Sequence, residues 1–208
     1  IPSQPKSVLP DLSSFSTGIK KADSIVIGPG LGTGKYAYTM LEFILRTSTV
    51  PTVVDADALR LIAKNTSLQQ YIKKPNILLT PHFGEFCALA EIDMDDLYVD
   101  TISALTNYVK KTEAKVLLKS DTTIFYDGKR MFINTAGNDG LATGGSGDVL
   151  AGIIGSFCGQ GMELGEAAIN ASFLVGITAE HLSRKRYPCS ILPTDIIDNL
   201  FVIMQEEE

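Results

Sequence analysis

Asn138 to Gly152 reads NDGLATGGSGDVLAG, and it holds the residue types that phosphate chemistry needs. Gly140, Gly144, Gly145 and Gly147 lead into Asp148. Val149, Leu150, Ile153, Ile154 and Phe157 then follow at the spacing of one helix face. Glycines let backbone N–H groups converge, and a helix N-terminus adds about half a positive charge. A carboxylate at that junction can take a proton from a hydroxyl while the amides hold an anion. The plain structural reading of Asp148 is a helix N-cap, and the residue type alone does not separate the two roles.

Three further loops carry candidate chemistry. Gly28 to Lys35, GPGLGTGK, looks like a phosphate loop but fits neither standard pattern. A P-loop needs glycine where Pro29 stands and serine or threonine where Tyr36 stands. The dinucleotide pattern starting at Gly30 and Gly32 needs a third glycine at Lys35. What remains is a glycine-rich strand-to-helix turn, either a ligand-facing loop or a tight turn alone. Asp55 and Asp57 follow the apolar run Thr52 to Val54, where open α/β sheets bind ligands. Asp57 is expected to be an N-cap, while Asp55 could orient a metal-bound water or a neighbouring loop. His82 comes directly after Asn76 to Thr80, in Pro81-His82-Phe83-Gly84-Glu85-Phe86. Its imidazole is either structural or free to hydrogen-bond a ligand.

These residues need a scaffold, and the chain of 208 residues suits one domain. Residues 1 to 18, with Pro2, Pro5 and Pro10, read as an irregular lead-in. Short apolar runs at Ser24 to Ile27, Thr52 to Val54, Asn76 to Thr80 and Lys115 to Leu118 read as buried strands. Helical spacing is expected over Tyr38 to Leu45, from Leu59, from Glu85 to Ala90, over Asp95 to Lys111, and over Leu164 to Leu182. A last helix opens at Pro193-Thr194, with Ile196, Ile197, Leu200, Phe201 and Met204 spaced for burial. Ile124 to Tyr126 and Met131 to Ile133 form a hairpin with a two-residue turn at Asp127-Gly128, which makes that edge antiparallel. The fold class is therefore α/β, a mostly parallel sheet with an antiparallel edge hairpin and helices on both faces.

Composition narrows the function. A net charge of −6 argues against a broad basic surface for nucleic acid. Cys87, Cys158 and Cys189 are odd in number and widely spaced, which points to buried thiols in a reducing compartment. Only His82 and His181 are present, so a histidine-rich metal site is not expected. No apolar run reaches the ~20 residues of a membrane span, and the expectation is a cytoplasmic protein without membrane partners.

The order of motifs carries a resemblance. GPGLG (28–32), VVDADAL (53–59), LLTPHFGEF (78–86), KSDTT (119–123) and NTAGNDGLATGGSGDVLAGIIG (134–155) resemble the ADP/ATP-dependent NAD(P)H-hydrate dehydratases. That family is similar in fold to the ribokinase-like small-molecule kinases, so a three-layer ribokinase-like sandwich over residues 1 to 208 is implied. The resemblance implies that hydrated NADH or NADPH is restored by dehydration, driven by ADP or ATP. It implies Asp148 as catalytic base. It places the nucleotide at Lys119, Ser120, Asp121, Thr122 and Thr123, and at Asn138, Gly144, Gly145, Ser146 and Gly147. Gly32, His82, Gly84, Glu85 and Asp148 would meet the hydrated nicotinamide nucleotide. Mg²⁺ would act through phosphate oxygens, with no direct protein ligand. Ser120 stands where the family usually has glycine, and Phe83 where it usually has proline. The family's first strand and its glycine-rich turn have no counterpart before Ile25, so a missing upstream segment is expected. Two other readings are a ribokinase-like kinase of a vitamin precursor and a non-catalytic nucleotide-binding subunit. A homo-oligomer is left open.

Overall fold

The computed structural model describes residues 12–206. In chain order it runs α1 (Leu12–Lys21), β1 (Ile25–Ile27), α2 (Lys35–Thr47), β2 (Thr52–Val54), α3 (Ala56–Lys64), α4 (Thr66–Gln69) and β3 (Ile77–Leu79). It continues with α5 (Phe83–Ala90), α6 (Met94–Val99), α7 (Thr101–Thr112), β4 (Lys115–Leu118), β5 (Thr123–Tyr126) and β6 (Met131–Asn134). The last elements are α8 (Ser146–Gly159), α9 (Leu164–Ser183) and α10 (Pro193–Glu206).

The six strands form one sheet in the order of the chain, β1 to β6. Strands β1 to β4 are parallel, and β4, β5 and β6 are antiparallel, as the strand spacing requires. Parallel strands buried on both faces carry continuous apolar runs, and alternate residues serve opposite layers. Val53, Leu78, Leu117 and Phe125 pack with α8, α9 and α10. Val54, Ile77, Leu79, Val116 and Leu118 pack with α2, α3, α5 and α7 on the other side. Helix α8 lies close on β1: a Cβ at Gly155 would stand 2.4 Å from Val26 Cγ2. Ser24 Oγ donates to the Gly155 carbonyl there at 2.6 Å.

Several local expectations are corrected. Part of the lead-in is helical: α1 spans Leu12–Lys21, its Ile19 packs on the core, and Lys20 and Lys21 complement the helix dipole. Residues 1–11 of the lead-in lie outside the described residues. The expected helix from Asp95 to Lys111 is two, because Asp100 leaves helical geometry (φ −150°, ψ 79°). Its carboxylate accepts from the Ser103 N–H at 2.9 Å and starts α7 afresh. The hairpin connection is Asp127 to Arg130, not a two-residue turn. Asp127 Oδ1 takes the N–H groups of Lys129 and Arg130, which closes the longer loop. In α10, Ile196 and Ile203 face the core, whereas Ile197, Phe201 and Met204 are exposed. Cys158 is a buried thiol, pushed up to about 11 by burial and then by Glu163, but Cys189 is exposed. Among the described residues, no helix is long and apolar enough to cross a membrane.

Candidate active site

Four strand ends and one helix start meet at the carboxyl edge of the parallel strands. After β1 the chain turns through Gly28, which has φ +134° and faces the backbone of Asp55. A Cβ there would stand 1.7 Å from the Asp55 carbonyl oxygen, so only glycine fits. The loop beyond is tethered by Asp57, whose Oδ2 accepts from the Gly32 N–H at 2.9 Å. Asp57 is therefore not the N-cap of α3. By backbone position the cap is Asp55, whose side chain makes no capping bond. The tether also means that the Gly32 N–H already has an acceptor within the chain.

The Asp55 side chain turns away from α3 and across the end of β3. It meets Lys119, the first residue after β4, with Nζ 2.6 Å from Oδ1. Asp55 is 1% exposed, so the carboxylate is buried, and among the described residues Lys119 is its ionic partner. The backbone supports this crossing. The Lys119 N–H donates to the Pro81 carbonyl at 2.8 Å, and His82 and Lys119 form a parallel bridge just past the ends of β3 and β4.

His82 is the N-cap of α5, and its capping box is complete. Its Nδ1 accepts from the Glu85 N–H at 3.2 Å, while Glu85 Oε2 accepts from the His82 N–H at 3.1 Å. Since Nδ1 accepts, the neutral ring carries its proton on Nε2, which lies 3.4 Å from Glu85 Oε1. The His82 side chain is 53% exposed, whereas that of Glu85 is 5% exposed. The structural and ligand-facing roles of His82 are thus compatible: one nitrogen holds the cap, and the ring lies open at the sheet edge. Glu85 lies beneath it and orients it. Gly84 leaves room for the ring, since a Cβ there would stand 3.1 Å from His82 Cε1.

The glycine-rich stretch approaches from the opposite layer. Asn138 Oδ1 accepts from the Gly140 N–H at 3.0 Å and starts a short 3-10 turn over Asp139–Leu141. The Gly137 N–H is held by Glu180 of α9 at 2.8 Å. Helix α8 then begins at Ser146 after Gly145, which adopts φ +98°. Asp148 is the third residue of the helix and is exposed, so it is not the N-cap. Among the described residues its carboxylate has no hydrogen-bond partner. The N–H groups of Gly147 and Asp148 likewise find no acceptor there. Gly147 sits over the buried ion pair: a Cβ would be 3.2 Å from Lys119 Nζ and 3.7 Å from Asp55 Oδ2.

The structure thus gathers Lys119, Gly147 and Asp148, with Gly144, Gly145 and Ser146 in the approach to α8. Ser120 to Thr123 form a tight turn, in which Ser120 Oγ and Asp121 Oδ1 both take the Thr122 N–H. Asn138 is spent on its own turn. Asp55 is the functional candidate whose role sequence reasoning missed. Its partner is 64 residues away, and the only signal was its place at the end of a parallel strand.

Helix N–H groups, an ammonium and an accessible carboxylate within one turn can bind an anion and abstract a neighbouring proton. Comparison with known proteins bears on which chemistry this is. The chain is 34% identical over 191 residues to a bifunctional NAD(P)H-hydrate repair enzyme of Moorella thermoacetica, covering 91% of this chain and 36% of that protein. It is 37% identical over 158 residues to an ADP-dependent (S)-NAD(P)H-hydrate dehydratase of Neisseria meningitidis, covering 74% of this chain and 53% of that protein. The chain thus spans between about a third and a half of these relatives. A solved ADP/ATP-dependent NAD(P)H-hydrate dehydratase of Bacillus subtilis, co-crystallised with ATP and Mg²⁺, superposes with a TM-score of 0.78 at 24% identity, covering 92% of this chain and 69% of that one. That likeness bears on fold alone, and the fold is the ribokinase-like sandwich. The profile of the NAD(P)H-hydrate dehydratases matches residues 6–201, nearly the whole length, and the chain belongs to that family.

Proposed function

We propose that this chain carries the ADP- or ATP-dependent dehydration of hydrated NADH or NADPH. The observation that supports it most is the start of α8, where the exposed Asp148 follows Gly147 in the first turn and Gly147 lies over the Lys119 ammonium. Phosphoryl transfer needs a positioned acceptor hydroxyl and stabilised phosphate oxygens, and little covalent help from the protein. Asp148 takes the proton of the hydrate hydroxyl, whose oxygen then bonds to the terminal phosphorus as the donor's phosphate bridge breaks. The phosphorylated hydroxyl leaves as phosphate, with a proton lost from the adjacent ring carbon, and the nicotinamide double bond is restored. The α8 amides and Lys119 hold the phosphate charge, with the turn at Ser120 to Thr123 nearer the adenosine. The His82 ring, held by Glu85, offers its Nε2–H to the hydrated nicotinamide nucleotide. Gly32 meets that substrate through its open α-carbon face, because its N–H is held by Asp57.

Among the described residues no group of three or more His, Cys, Asp or Glu side chains is placed to hold a metal ion. Mg²⁺ would enter on the phosphate oxygens of the nucleotide, where it would neutralise phosphate charge.

The test supplies chemically hydrated NADH with ADP or ATP and Mg²⁺ and follows the reduced-nicotinamide absorbance. Recovery of that band is expected. Asp148→Asn is expected to lower turnover by a factor of about 10² to 10⁴ while nucleotide affinity stays within a few-fold. Phosphorylation of a thiazole or pyrimidine alcohol with no recovery of NADH would overturn the reading. So would normal turnover by the variant.

A further inference from the structure

In the reaction just described Asp55 touches neither substrate, yet it is a buried carboxylate set directly below the anion-binding turn. We infer that Asp55 is a positioning residue for the nucleotide phosphates and acts through Lys119. The inference rests on the reading that this edge of the sheet binds adenine nucleotide.

Three observations carry it. The first is rigidity of the carboxylate. The Asp55 backbone is pinned on both sides, its N–H donating to Ile27 at 3.0 Å and its carbonyl accepting from Ala58 at 3.1 Å. Gly28 is packed against that same carbonyl. The second is what the carboxylate holds. A lysine ammonium rides on a flexible four-carbon stem, and here it is fixed at 2.6 Å across the end of β3. An ammonium has three N–H donors, and Asp55 takes one. The third is the fit of α8. Gly147 comes down on the pair, where an added Cβ would stand 3.2 Å from Lys119 Nζ, so the held ammonium lies close under the start of α8 with its unpaired amides. Two donors of Lys119 are thereby aimed at the same anion as the α8 N-terminus.

The sign of the effect separates this role from a simple charge effect. A carboxylate beside an anion site repels phosphate, so if only its charge mattered, removing it would tighten nucleotide binding. If it positions Lys119, removing it weakens binding, and only for ligands that carry phosphate.

Calorimetry with Mg²⁺-ADP, Mg²⁺-ATP and adenosine on the full chain tests this. Asp55→Asn, which preserves shape, is expected to bind ADP and ATP about tenfold more weakly and adenosine within twofold of the parent. Asp55→Glu keeps the charge but displaces the ammonium by one methylene, and it is expected to show the same phosphate-selective loss. Near-UV circular dichroism checks that each variant is folded, so that either one can decide if the other is not. Removing the ammonium from the neutralised background, as Asp55→Asn with Lys119→Met, is expected to cost less than a further twofold. Unchanged or tighter ADP binding by Asp55→Asn overturns the inference, as does an equal loss for adenosine. A further tenfold loss in the double variant does so too, because the ammonium would then work without Asp55. If the parent chain binds no adenine nucleotide, the functional reading falls and this inference with it. Parent binding with any of the other contrary outcomes overturns the inference alone.

Discussion

Gly28 shows how closely the site is set into the sheet. Its missing side chain is the space in which the Asp55 carbonyl lies, 1.7 Å from where a Cβ would stand. Two penalties combine at that position, a backbone angle of +134° that side chains rarely adopt and a collision with main chain that cannot move aside. Gly28→Ala is expected to destabilise the chain by about 3 kcal/mol or more, measured as a fall in urea midpoint with unchanged slope. A shift below about 0.5 kcal/mol would show that this turn relaxes independently of Asp55. Gly147 makes the milder case, since its Cβ would meet the end of a flexible lysine rather than backbone.

At the level of elements, the antiparallel edge is clasped to the helical layer by one arginine. Arg130 pairs with Asp127 in its own turn and with Glu163 and Glu166 at the start of α9. Burial raises the Asp127 and Glu163 carboxyls. The amides of Arg130 and Lys129 outweigh this at Asp127, and those of Gly165 and Glu166, with the Arg130 guanidinium, do so at Glu163. Both end below their ordinary values. A carboxyl depressed in the folded state contributes stability above its unfolded value of about 4, and that contribution is lost as pH falls through the folded value. Stability is therefore expected to fall as pH drops below about 4, and Asp127→Asn is expected to flatten that fall in acid denaturation followed by circular dichroism. A variant with the parent's acid profile would remove Asp127 from the account.

The same scale shows what the sequence made legible. Strand positions could be read because buried parallel strands are short apolar runs, and the hairpin edge could be read because no helical period separates β4, β5 and β6. The helix at Leu12–Lys21 could not, although Leu12, Phe15 and Ile19 stand at helical spacing, because the prolines before it and the serines and threonine within it read as loop. The break at Asp100 depends on a single side chain choosing a cap over a helix interior. In α10 the residues Ile197, Phe201 and Met204 are spaced like core positions yet are exposed, and Met204 lines an apolar groove of about 740 Å³ with Phe157, Met162, Phe173 and Ile177. Period alone does not say which of two apolar stripes is covered. The site was legible as loops on one edge. The Asp55–Lys119 pairing and the Asp57 tether were not, because partners 64 and 25 residues apart leave no local pattern.

For the whole molecule, the strand order carries a consequence for how the chain reaches its fold. Because β1 to β6 lie in sequence order, each strand can settle beside the one before it, and most of the sheet forms by short-range pairing. Helix α8 is the exception. It must return across the layer to β1, where Ser24 and Gly155 bond although 131 residues separate them. Loop closure on that scale is costly before it is rewarded, so the return is expected to come late. Pulse-labelled hydrogen exchange during refolding should protect Val53 and Leu78 before Ile153 and Ile154, and the reverse order would exclude this route. The glycine-rich turn at the start of α8 would then be the last feature the chain completes. A nucleotide that needs that turn should slow unfolding without speeding folding.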